Sequence, residues 1–237
     1  MNAIANKKTE FIDLGLIDYK VAWDYQTTLF EKVLASKAEN RTLPEGHQNI
    51  TENFLLFCQH PHVYTLGKSG RESNLLIRPE NLASMGASFY HINRGGDITY
   101  HGPGQLVGYP VIDLENFFTD IHRYMRFLEE AIIRTLRVFG IESGRIPELT
   151  GVWVDHEDKA RKICALGVKT SRWVTLHGFA LNVNTDLSYF DHIVPCGISD
   201  KAVTSLEKEL GHPVEIDLVK DVLKNNIATV FEMNLIH

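Results

Sequence analysis

The stretch RGGDITYHGPGQLVGYPVIDL, residues 94–114, combines a glycine-rich loop with an apolar segment of extended character. A tight turn needs one or two glycines, and this loop holds Gly95, Gly96, Gly102 and Gly104. Such density favours a backbone that approaches a ligand, with a purely structural turn as the competing interpretation. The spacing fits neither of the two familiar phosphate-binding glycine motifs, both of which open a helix. The stretch therefore predicts a wall of a small-molecule site.

On both sides of this loop, hydrophobic periodicity predicts helices and short strands in mixed order. Asp18 is expected to cap a helix that places Ala22, Tyr25, Leu29 and Val33 on one face. Further helices are expected over 120–140, where Gly140 ends an apolar stripe, and over 216–234, and a capping box is expected at 204–207. Strands are expected within 51–67, 87–93, 106–114, 151–155, 162–169 and 175–183. This order predicts one domain of the α+β class over residues 1–237.

Composition narrows the possible functions. The 237 residues carry a formal net charge of −6 and no block of basic residues, which argues against nucleic-acid binding. No run approaches the roughly 18–20 apolar residues of a membrane span, and the first residues resemble neither a signal nor a transit peptide. A cytoplasmic protein is expected. Its three cysteines, Cys58, Cys164 and Cys196, are then expected to be thiols.

A second cluster, FDHIVPCGISD over residues 190–200, presents Cys196 between a proline and a glycine. A thiol attacks as the thiolate, and at an ordinary pKa of about 8.5 only a few per cent is ionised at neutral pH. A nearby cation would raise that fraction. Spacing alone leaves four candidates for the cation: Lys162, Lys169, His177 and His192. An inactive loop cysteine is the competing interpretation.

The segment CQHPH places Cys58, His60 and His62 at alternate positions, which would put three metal-ligand types on one side of an extended chain. Pro61 interrupts that strand, and no second ligand pair has an ordinary zinc spacing. We therefore expect no metal site.

The motifs HPHVYTLGKSG, RGGDITYHGPGQLVGYPVIDL, GVWV, KICALGVK and HGFALNVNTDLSYFDHIVPCG together resemble those of the lipoyl(octanoyl) transferase family over about residues 10–215. The resemblance implies the α/β catalytic domain shared with biotin and lipoate protein ligases, with mixed sheets flanked by helices. It implies Cys196 as the acyl-carrying nucleophile and Lys162 as its catalytic partner, with Lys169 secondary. It also implies an acyl site lined by Arg94, Gly95, Gly96, Asp97, Ile98, Thr99, Tyr100, His101, Ala165, Leu166, Gly167, Gly178, Phe179 and Ala180.

The activity implied is transfer of an octanoyl group from octanoyl-acyl carrier protein to a lysine of lipoyl domains, which include those of 2-oxoacid dehydrogenase complexes and the glycine cleavage H protein. No cofactor is expected. An ATP-dependent lipoate or biotin ligase of the same fold is the alternative, and a non-catalytic acyl-binding module is a third hypothesis.

Two residues depart from the family pattern. Cys164 stands where a small residue is usual, and Lys169 where arginine is common. If 162–169 is a regular strand, Cys164 shares a face with Lys162, which would allow oxidative pairing of Cys164 with Cys196.

Overall fold

The computed structural model describes residues 5–155, 159–194 and 202–236. In chain order its strands are β1 (Lys8–Leu16), β2 (Phe54–Gln59), β3 (Val63–Leu66), β4 (Ser88–His91), β5 (Ile98–His101), β6 (Gln105–Val111), β7 (Gly144–Ile146), β8 (Leu149–Val154), β9 (Arg161–Ser171), β10 (Val174–Asn182), β11 (Ala202–Val203) and β12 (Asn234–Ile236). The helices are α1 (Tyr19–Asn40), α2 (Pro79–Leu82), α3 (Ile121–Val138), α4 (Leu206–Leu210) and α5 (Ile216–Phe231).

The main sheet has the spatial order β12-β1-β2-β6-β10-β9-β8-β7, with β11 added to β9. It is mixed: β1 is parallel to both β12 and β2, and β11 is parallel to β9, whereas β2, β6, β10, β9 and β8 pair antiparallel. Its central strands β2, β6 and β10 are almost wholly buried, as expected for strands covered on both faces. A smaller sheet, β4-β3-β5, carries the glycine-rich loop on its β5 side.

Helices cover both faces of the main sheet. Helix α3 packs on one face beside α5, and its buried residues Tyr124, Leu128, Ile132 and Leu136 keep the predicted spacing. Helix α1 covers the other face with Ala22, Leu29, Phe30 and Val33. The predicted α+β class, with mixed sheets flanked by helices, is confirmed.

Most predicted helix ends are confirmed. The Asp18 carboxylate accepts hydrogen bonds from the backbone N–H groups of Lys20 and Val21, so it caps α1 as expected. Three details were wrong. The helix expected over 216–234 ends at Phe231, and Asn234 begins strand β12. Tyr25 is 37% exposed, because Gln26 takes the buried position beside it. The cap of α4 is Ser205 rather than Thr204, since the Ser205 hydroxyl accepts from the backbone N–H of Lys208.

Candidate active site

A cavity of about 600 Å³ lies between the glycine-rich loop and the β9–β10 hairpin of the main sheet. This size is ordinary for a small-molecule site, for which roughly 300–1,000 Å³ is typical. Of the residues predicted from the sequence, those that line the cavity are Arg94, Gly95, Gly96, Asp97, Ile98, Thr99, His101, Lys162, Ala165, Leu166, Gly167, Gly178, Phe179 and Ala180. Three separate stretches of the chain therefore meet at one site.

Tyr100 does not line this cavity, although its sequence position placed it in the predicted site. Its side chain is 0% exposed and lies in a separate aromatic cluster, where its hydroxyl hydrogen-bonds to His62 Nδ1 at 2.7 Å. Its ring stacks on Tyr189, with centroids 5.0 Å apart. Neighbouring side chains on a strand point to opposite sides, so Tyr100 turns away where His101 turns toward the cavity.

The glycine-rich loop is fastened to both sheets. The Arg94 guanidinium donates to the Thr65 carbonyl oxygen at 2.8 Å and to the Thr65 hydroxyl at 3.0 Å. The backbone N–H of Gly95 donates to the Val168 carbonyl oxygen of β9 at 3.0 Å. Arg94 is thus a brace for the loop as well as part of the cavity wall.

Only two of the four loop glycines reach the cavity. Gly95 and Gly96 line it, whereas Gly102 and Gly104 do not. A Cβ on Gly102 would overlap the Tyr100 hydroxyl, and Gly104 combines a φ of +78° with close approach to the Asn184 carbonyl oxygen. The turn interpretation therefore applies to the second pair and the ligand-wall interpretation to the first.

Lys162 extends along an aromatic wall at one end of the cavity. Its Nζ lies 4.7 Å from the centroid of the buried Trp153 ring, within the range of a cation–π contact. Gly151 has a φ of +127°, and a Cβ there would lie 2.8 Å from the Cys164 carbonyl oxygen, so glycine lets β8 approach β9 closely beside Lys162. The Gly151 N–H in turn donates to the Glu129 carboxylate at 3.1 Å.

Glu129 holds the backbone of β8 at the Lys162 end of the cavity. Its side chain is 1% exposed and pairs with Arg126 at 2.7 Å and Arg145 at 3.0 Å. A buried carboxylate needs such partners to offset its desolvation. The β8 backbone beside Lys162 is therefore held by a buried carboxylate whose two arginine partners reach the surface.

Of the four candidate cations, Lys162 and His177 line the cavity, and Lys169 and His192 do not. The Lys169 Nζ lies 5.4 Å above the Phe30 ring on the α1 side. Cys196 itself lies outside the described residues. On its C-terminal side, Ala202 and Val203 line the cavity, and Val203 pairs with Lys162 as part of β11.

Two buried histidines line the cavity as neutral imidazoles. His101 Nδ1 donates to Gln105 Oε1 at 2.8 Å, and His177 Nε2 donates to Asn93 Oδ1 at 2.9 Å. Burial lowers the pKa of each to about 3, and the neighbouring Arg94 guanidinium acts in the same direction. His177 also has a φ of +63° within β10, a strained conformation of the kind that collects at functional sites.

The CQHPH side chains do not converge on one point. Cys58 and His60 are buried together beneath Tyr109, whose hydroxyl lies 2.8 Å from His60 Nε2, whereas His62 stacks on Tyr189. Within residues 5–155, 159–194 and 202–236, no group of three or more metal-ligand side chains comes together.

Cys164 is fully buried in the core beneath α3 and α5, and burial raises the pKa of its thiol. The pairing of β8 with β9 shifts register between Val152 and Trp153, so regular alternation does not hold here. The expectation that Cys164 and Lys162 share a face was therefore wrong with respect to the cavity, which Lys162 lines and Cys164 does not.

Several lining residues were missed from the sequence, among them Tyr19, Tyr109, Ile121, Met125, Leu149 and Trp153. Tyr19 and Ile121 each begin a helix, and Trp153 lies in the GVWV motif. The motif was noticed, but nothing in its letters shows that its tryptophan contacts a lysine nine positions later.

Proteins of similar sequence agree with a site of this kind. The family described as "Lipoyl protein ligase A/B catalytic domain" matches residues 18–228. The chain belongs to this family. A protein of Cytophaga hutchinsonii named Octanoyltransferase is 60% identical over 237 residues, covering 99% of this chain and 97% of that protein. Another Octanoyltransferase, from Christiangramia forsetii, is 56% identical over 232 residues, covering 97% and 98%. The predicted family and enzyme class, an acyltransferase, are confirmed.

Solved structures support the fold. The bipartite lipoate protein ligase of Thermoplasma acidophilum, studied with its E2 lipoyl domain, has a TM-score of 0.67 at 19% identity, covering 98% of this chain and 88% of that one. Lipoate-protein ligase A bound with ATP has a TM-score of 0.64 at 18% identity, covering 98% and 90%. Biotin protein ligase from Aquifex aeolicus has a TM-score of 0.50 at 12% identity, covering 95% and 71%.

Across the part of the chain that is described, every helix is too short or too polar to cross a lipid bilayer.

Proposed function

We propose that this protein transfers an octanoyl group from octanoyl-acyl carrier protein to a lysine of lipoyl domains, with Cys196 as the acyl carrier and Lys162 as its catalytic partner. The acceptors are the lipoyl domains of 2-oxoacid dehydrogenase complexes and the glycine cleavage H protein, and the reaction takes place in the cytoplasm. Octanoyl transfer is the activity named in relatives that share 56–60% of their residues with nearly the whole chain. The observation that carries the residue assignment is the position of Lys162 at one end of a cavity walled by the predicted acyl-site residues.

The first half of the reaction exchanges one thioester for another. The Cys196 thiolate attacks the carbonyl carbon of the donor thioester, the new S–C bond forms, the bond to the carrier sulfur breaks, and the carrier thiolate leaves with the proton of the Lys162 ammonium. In the second half, the neutral amine of the acceptor lysine attacks the octanoyl-enzyme. The C–N bond forms, the S–C bond breaks, and the Cys196 thiolate is restored.

Lys162 serves both halves. As an ammonium it stabilises the thiolate: a fall in the cysteine pKa from about 8.5 to about 6.5 raises the thiolate fraction about 25-fold, worth about 2 kcal/mol. After acylation the thiolate is consumed, and a Lys162 that has lost its proton accepts the one released by the acceptor amine. The Trp153 ring, 4.7 Å from Nζ, supports the ammonium state to which Lys162 returns.

The wall beyond Lys162 suits an alkyl chain. Small or apolar residues line it on both strands of the hairpin: Ala165, Leu166 and Gly167 on β9, and Phe179 and Ala180 on β10. Each methylene buried against such a wall contributes about 0.8 kcal/mol. The thioester-to-amide conversion is downhill, so this function requires no nucleotide.

The alternative is an ATP-dependent ligase, because the chain has a fold similar to that of lipoate-protein ligase A bound with ATP. At 18% identity that likeness concerns the fold alone. A ligase would activate a free acid through a nucleotide-bound intermediate and would not need Cys196.

Incubation with octanoyl-acyl carrier protein in the absence of ATP, followed by intact-protein mass spectrometry, separates the two functions. We expect a single octanoyl adduct that is absent in Cys196→Ser and present in the matched control Cys58→Ser, whose thiol lies in the α1-side core. An acceptor lipoyl domain added next should discharge the adduct and gain its mass. Full transfer by Cys196→Ser, or strict dependence on ATP, would overturn the proposal.

The role of Lys162 is tested by the pH dependence of Cys196 alkylation with iodoacetamide. In Lys162→Met the apparent pKa of alkylation should rise by about two units toward the ordinary thiol value of about 8.5. An unchanged profile would show that Lys162 does not activate the thiol.

A further inference from the structure

Exposed side chains line the cavity at its Lys162 end. Apart from glycines, the lining residues that are exposed are His122, Glu148, Thr150 and Ala202, and we call these four residues the mouth. Val203, which follows Ala202, pairs with Lys162 in the sheet. A side chain that comes from solvent to a group beside Lys162 is therefore expected to pass the mouth.

Glu148 occupies a strained turn at the mouth. The chain passes from β7 to β8 through Pro147 and Glu148, because Ile146 pairs with Leu149. Glu148 has a φ of +65°, in the left-handed region, where the Cβ of an L-residue crowds the following carbonyl oxygen. Glycine or asparagine is usual at a turn position with positive φ that follows a proline. A glutamate there combines a charged side chain with backbone strain, a combination typical of functional sites.

The Glu148 carboxylate is open to a ligand. Within residues 5–155, 159–194 and 202–236, its side chain makes neither a hydrogen bond nor an ion pair. Asp97 is the other carboxylate among the described residues that line the cavity, and it accepts from the Asn74 side chain and from the Ile98 backbone N–H, each at 2.6 Å. Of these two carboxylates, Glu148 is the one that an incoming cation can approach.

Glu148 also lies near the reacting groups. Gly151 follows it by three residues, which is about 10 Å at the rise of a β-strand. The Lys162 side chain extends to Gly151, because a Cβ at Gly151 would lie 3.4 Å from Lys162 Cε. The Debye length at physiological ionic strength is about 8 Å. A lysine that attacks an acyl group beside Lys162 therefore comes within range of the Glu148 charge.

We propose that Glu148 recognises the acceptor, and that its carboxylate binds the ammonium of the acceptor lysine as this side chain enters the mouth. The inference rests on the proposed function, because it takes an acceptor lysine to attack an acyl group on Cys196. A lysine with its ordinary pKa of about 10.4 arrives as the ammonium. It loses one proton to water before it attacks, and its nitrogen becomes cationic again as the C–N bond forms, until Lys162 takes the second proton.

Glu148 should therefore favour the acceptor half of the reaction and leave the donor half unchanged, since the donor thioester is uncharged. Glu148→Asn and Glu148→Asp form a matched pair that tests this difference. The two new side chains have nearly the same shape and tolerate a positive φ, and only aspartate is charged. Each variant should melt at or above the parent temperature, because the left-handed strain is relieved. Slow discharge in Glu148→Asn would then not be a consequence of lost stability.

The two half-reactions are measured separately by intact mass. Octanoyl-acyl carrier protein first loads Cys196, excess donor is removed by gel filtration, and an acceptor lipoyl domain then discharges the adduct. In Glu148→Asn we expect the second-order rate constant of discharge to fall about threefold to fivefold at low ionic strength, with loading within about twofold of the parent rate. Glu148→Asp should discharge within about twofold of the parent rate. At about 1 M salt, where the Debye length is about 3 Å, the two variants should discharge at equal rates.

Hydroxylamine and Glu142→Asn supply the controls. Hydroxylamine is uncharged in mildly alkaline buffer, so it should discharge the adducts of the parent and of both Glu148 variants at one rate. Glu142 is an exposed glutamate that does not line the cavity, and Glu142→Asn should leave loading and discharge at the parent rates.

Four results would overturn the role of Glu148. They are discharge of Glu148→Asn by the lipoyl domain at the parent rate, equal slowing of loading and discharge, equal rates for Glu148→Asn and Glu148→Asp at low ionic strength, and an equal loss in Glu142→Asn. Failure of the proposed function looks different, since Cys196 would then form no octanoyl adduct in any of these proteins.

Discussion

Replacing Gly167 by alanine adds one carbon between β9 and the glycine-rich loop. The new Cβ would lie 3.0 Å from the Gly95 carbonyl oxygen and 3.2 Å from Arg94 Cδ, where ordinary contacts begin at 3.4 Å. The loop must therefore move by about 0.4 Å, against the hydrogen bond from the Gly95 N–H to Val168. Overpacking of this kind costs about 1–3 kcal/mol. For a chain of this size that lowers the melting temperature by about 2–12 °C.

The loss of activity should exceed what this loss of stability implies. The displaced atoms belong to the cavity wall, and misplacement of a bound group by about 1 Å can slow a reaction about 100-fold. A shift of a few tenths of an ångström should then slow octanoylation of Cys196 about threefold to tenfold in folded protein.

Gly178→Ala provides the contrast, because the sequence assigned Gly178 and Gly167 the same role. A Cβ at Gly178 points into the sheet and would overlap the Gly108 carbonyl oxygen of β6. Backbone cannot yield there without opening the β6–β10 ladder, so we expect a loss above about 4 kcal/mol.

Thermal melts by circular dichroism and single-turnover acylation, measured on the same preparations, test the pair. Gly167→Ala should fold and react slowly, and Gly178→Ala should lose most of its stability. The reasoning is refuted if Gly178→Ala melts like the parent protein, or if Gly167→Ala acylates at the parent rate.

Three further outcomes are expected. Glu129→Gln leaves Arg126 and Arg145, whose side chains are 50% and 32% exposed, facing an uncharged amide, and should lower the free energy of unfolding in urea by about 1–3 kcal/mol; a loss below about 0.5 kcal/mol would contradict a stabilising role of the Glu129 charge. Asn74→Ala removes the hydrogen bond that the Asn74 side chain donates to Asp97 at 2.6 Å. It should slow Cys196 acylation while it lowers the free energy of unfolding by no more than about 1.5 kcal/mol. An acylation rate equal to that of the parent would show that Asp97 does not act on Cys196 through Asn74. The third outcome is a fall in stability below pH 6.5, because the buried His60, His101 and His177 have folded pKa values of about 3–4 and unfolded values near 6.5. Between these values the unfolded chain binds more protons than the folded chain, so each histidine lowers the free energy of unfolding by up to about 1.4 kcal/mol per pH unit as the pH falls. Equal urea midpoints at pH 7 and pH 5 would rule this out.

The elements themselves follow from local rules that the sequence displays. The apolar stripe of α3 has a period of 3.6 residues and ends before Gly140, whose φ is +76°, so both its face and its C-terminus could be predicted. Ser205 and Thr204 are both good capping residues, and only the path of the chain after β11 selects Ser205. Local pattern decides which element forms, whereas the choice between adjacent similar residues depends on tertiary geometry.

The site was predicted as continuous segments; the structure keeps Ala165 to Gly167 and Gly178 to Ala180 in the cavity wall and removes Tyr100 from the segment 94–101. Tyr100 and His101 are adjacent in β5 and point to opposite sides of the strand, and it is the Tyr100 ring that packs into the aromatic cluster instead of the cavity. Distant contributors could not be derived in this way. Trp153 reaches Lys162 only because β8 pairs with β9 through a shift in register, and no rule of spacing encodes that shift.

Tyr100, which does not line the cavity, packs against the segment that leads to Cys196. Tyr100 turns to Tyr189, which stacks on His62 at 4.1 Å and whose carbonyl oxygen accepts from the Tyr64 hydroxyl. Tyr189 lies in the short helical segment Leu187–His192 that leads toward Cys196.

Asp97 is also connected, through Asn74, to the segment that leads to Cys196. Its carboxylate accepts from the Asn74 side chain, and the Asn74 carbonyl oxygen accepts from the backbone N–H of Val194 at 2.8 Å, two residues before Cys196. The small sheet thus holds the glycine-rich loop with one set of bonds and the chain leading to the cysteine with another. Because both sets start from residues 94–101, displacement of that loop should alter acyl binding and the reactivity of Cys196 together, whereas a wall change such as Ala180→Val should alter acyl binding alone.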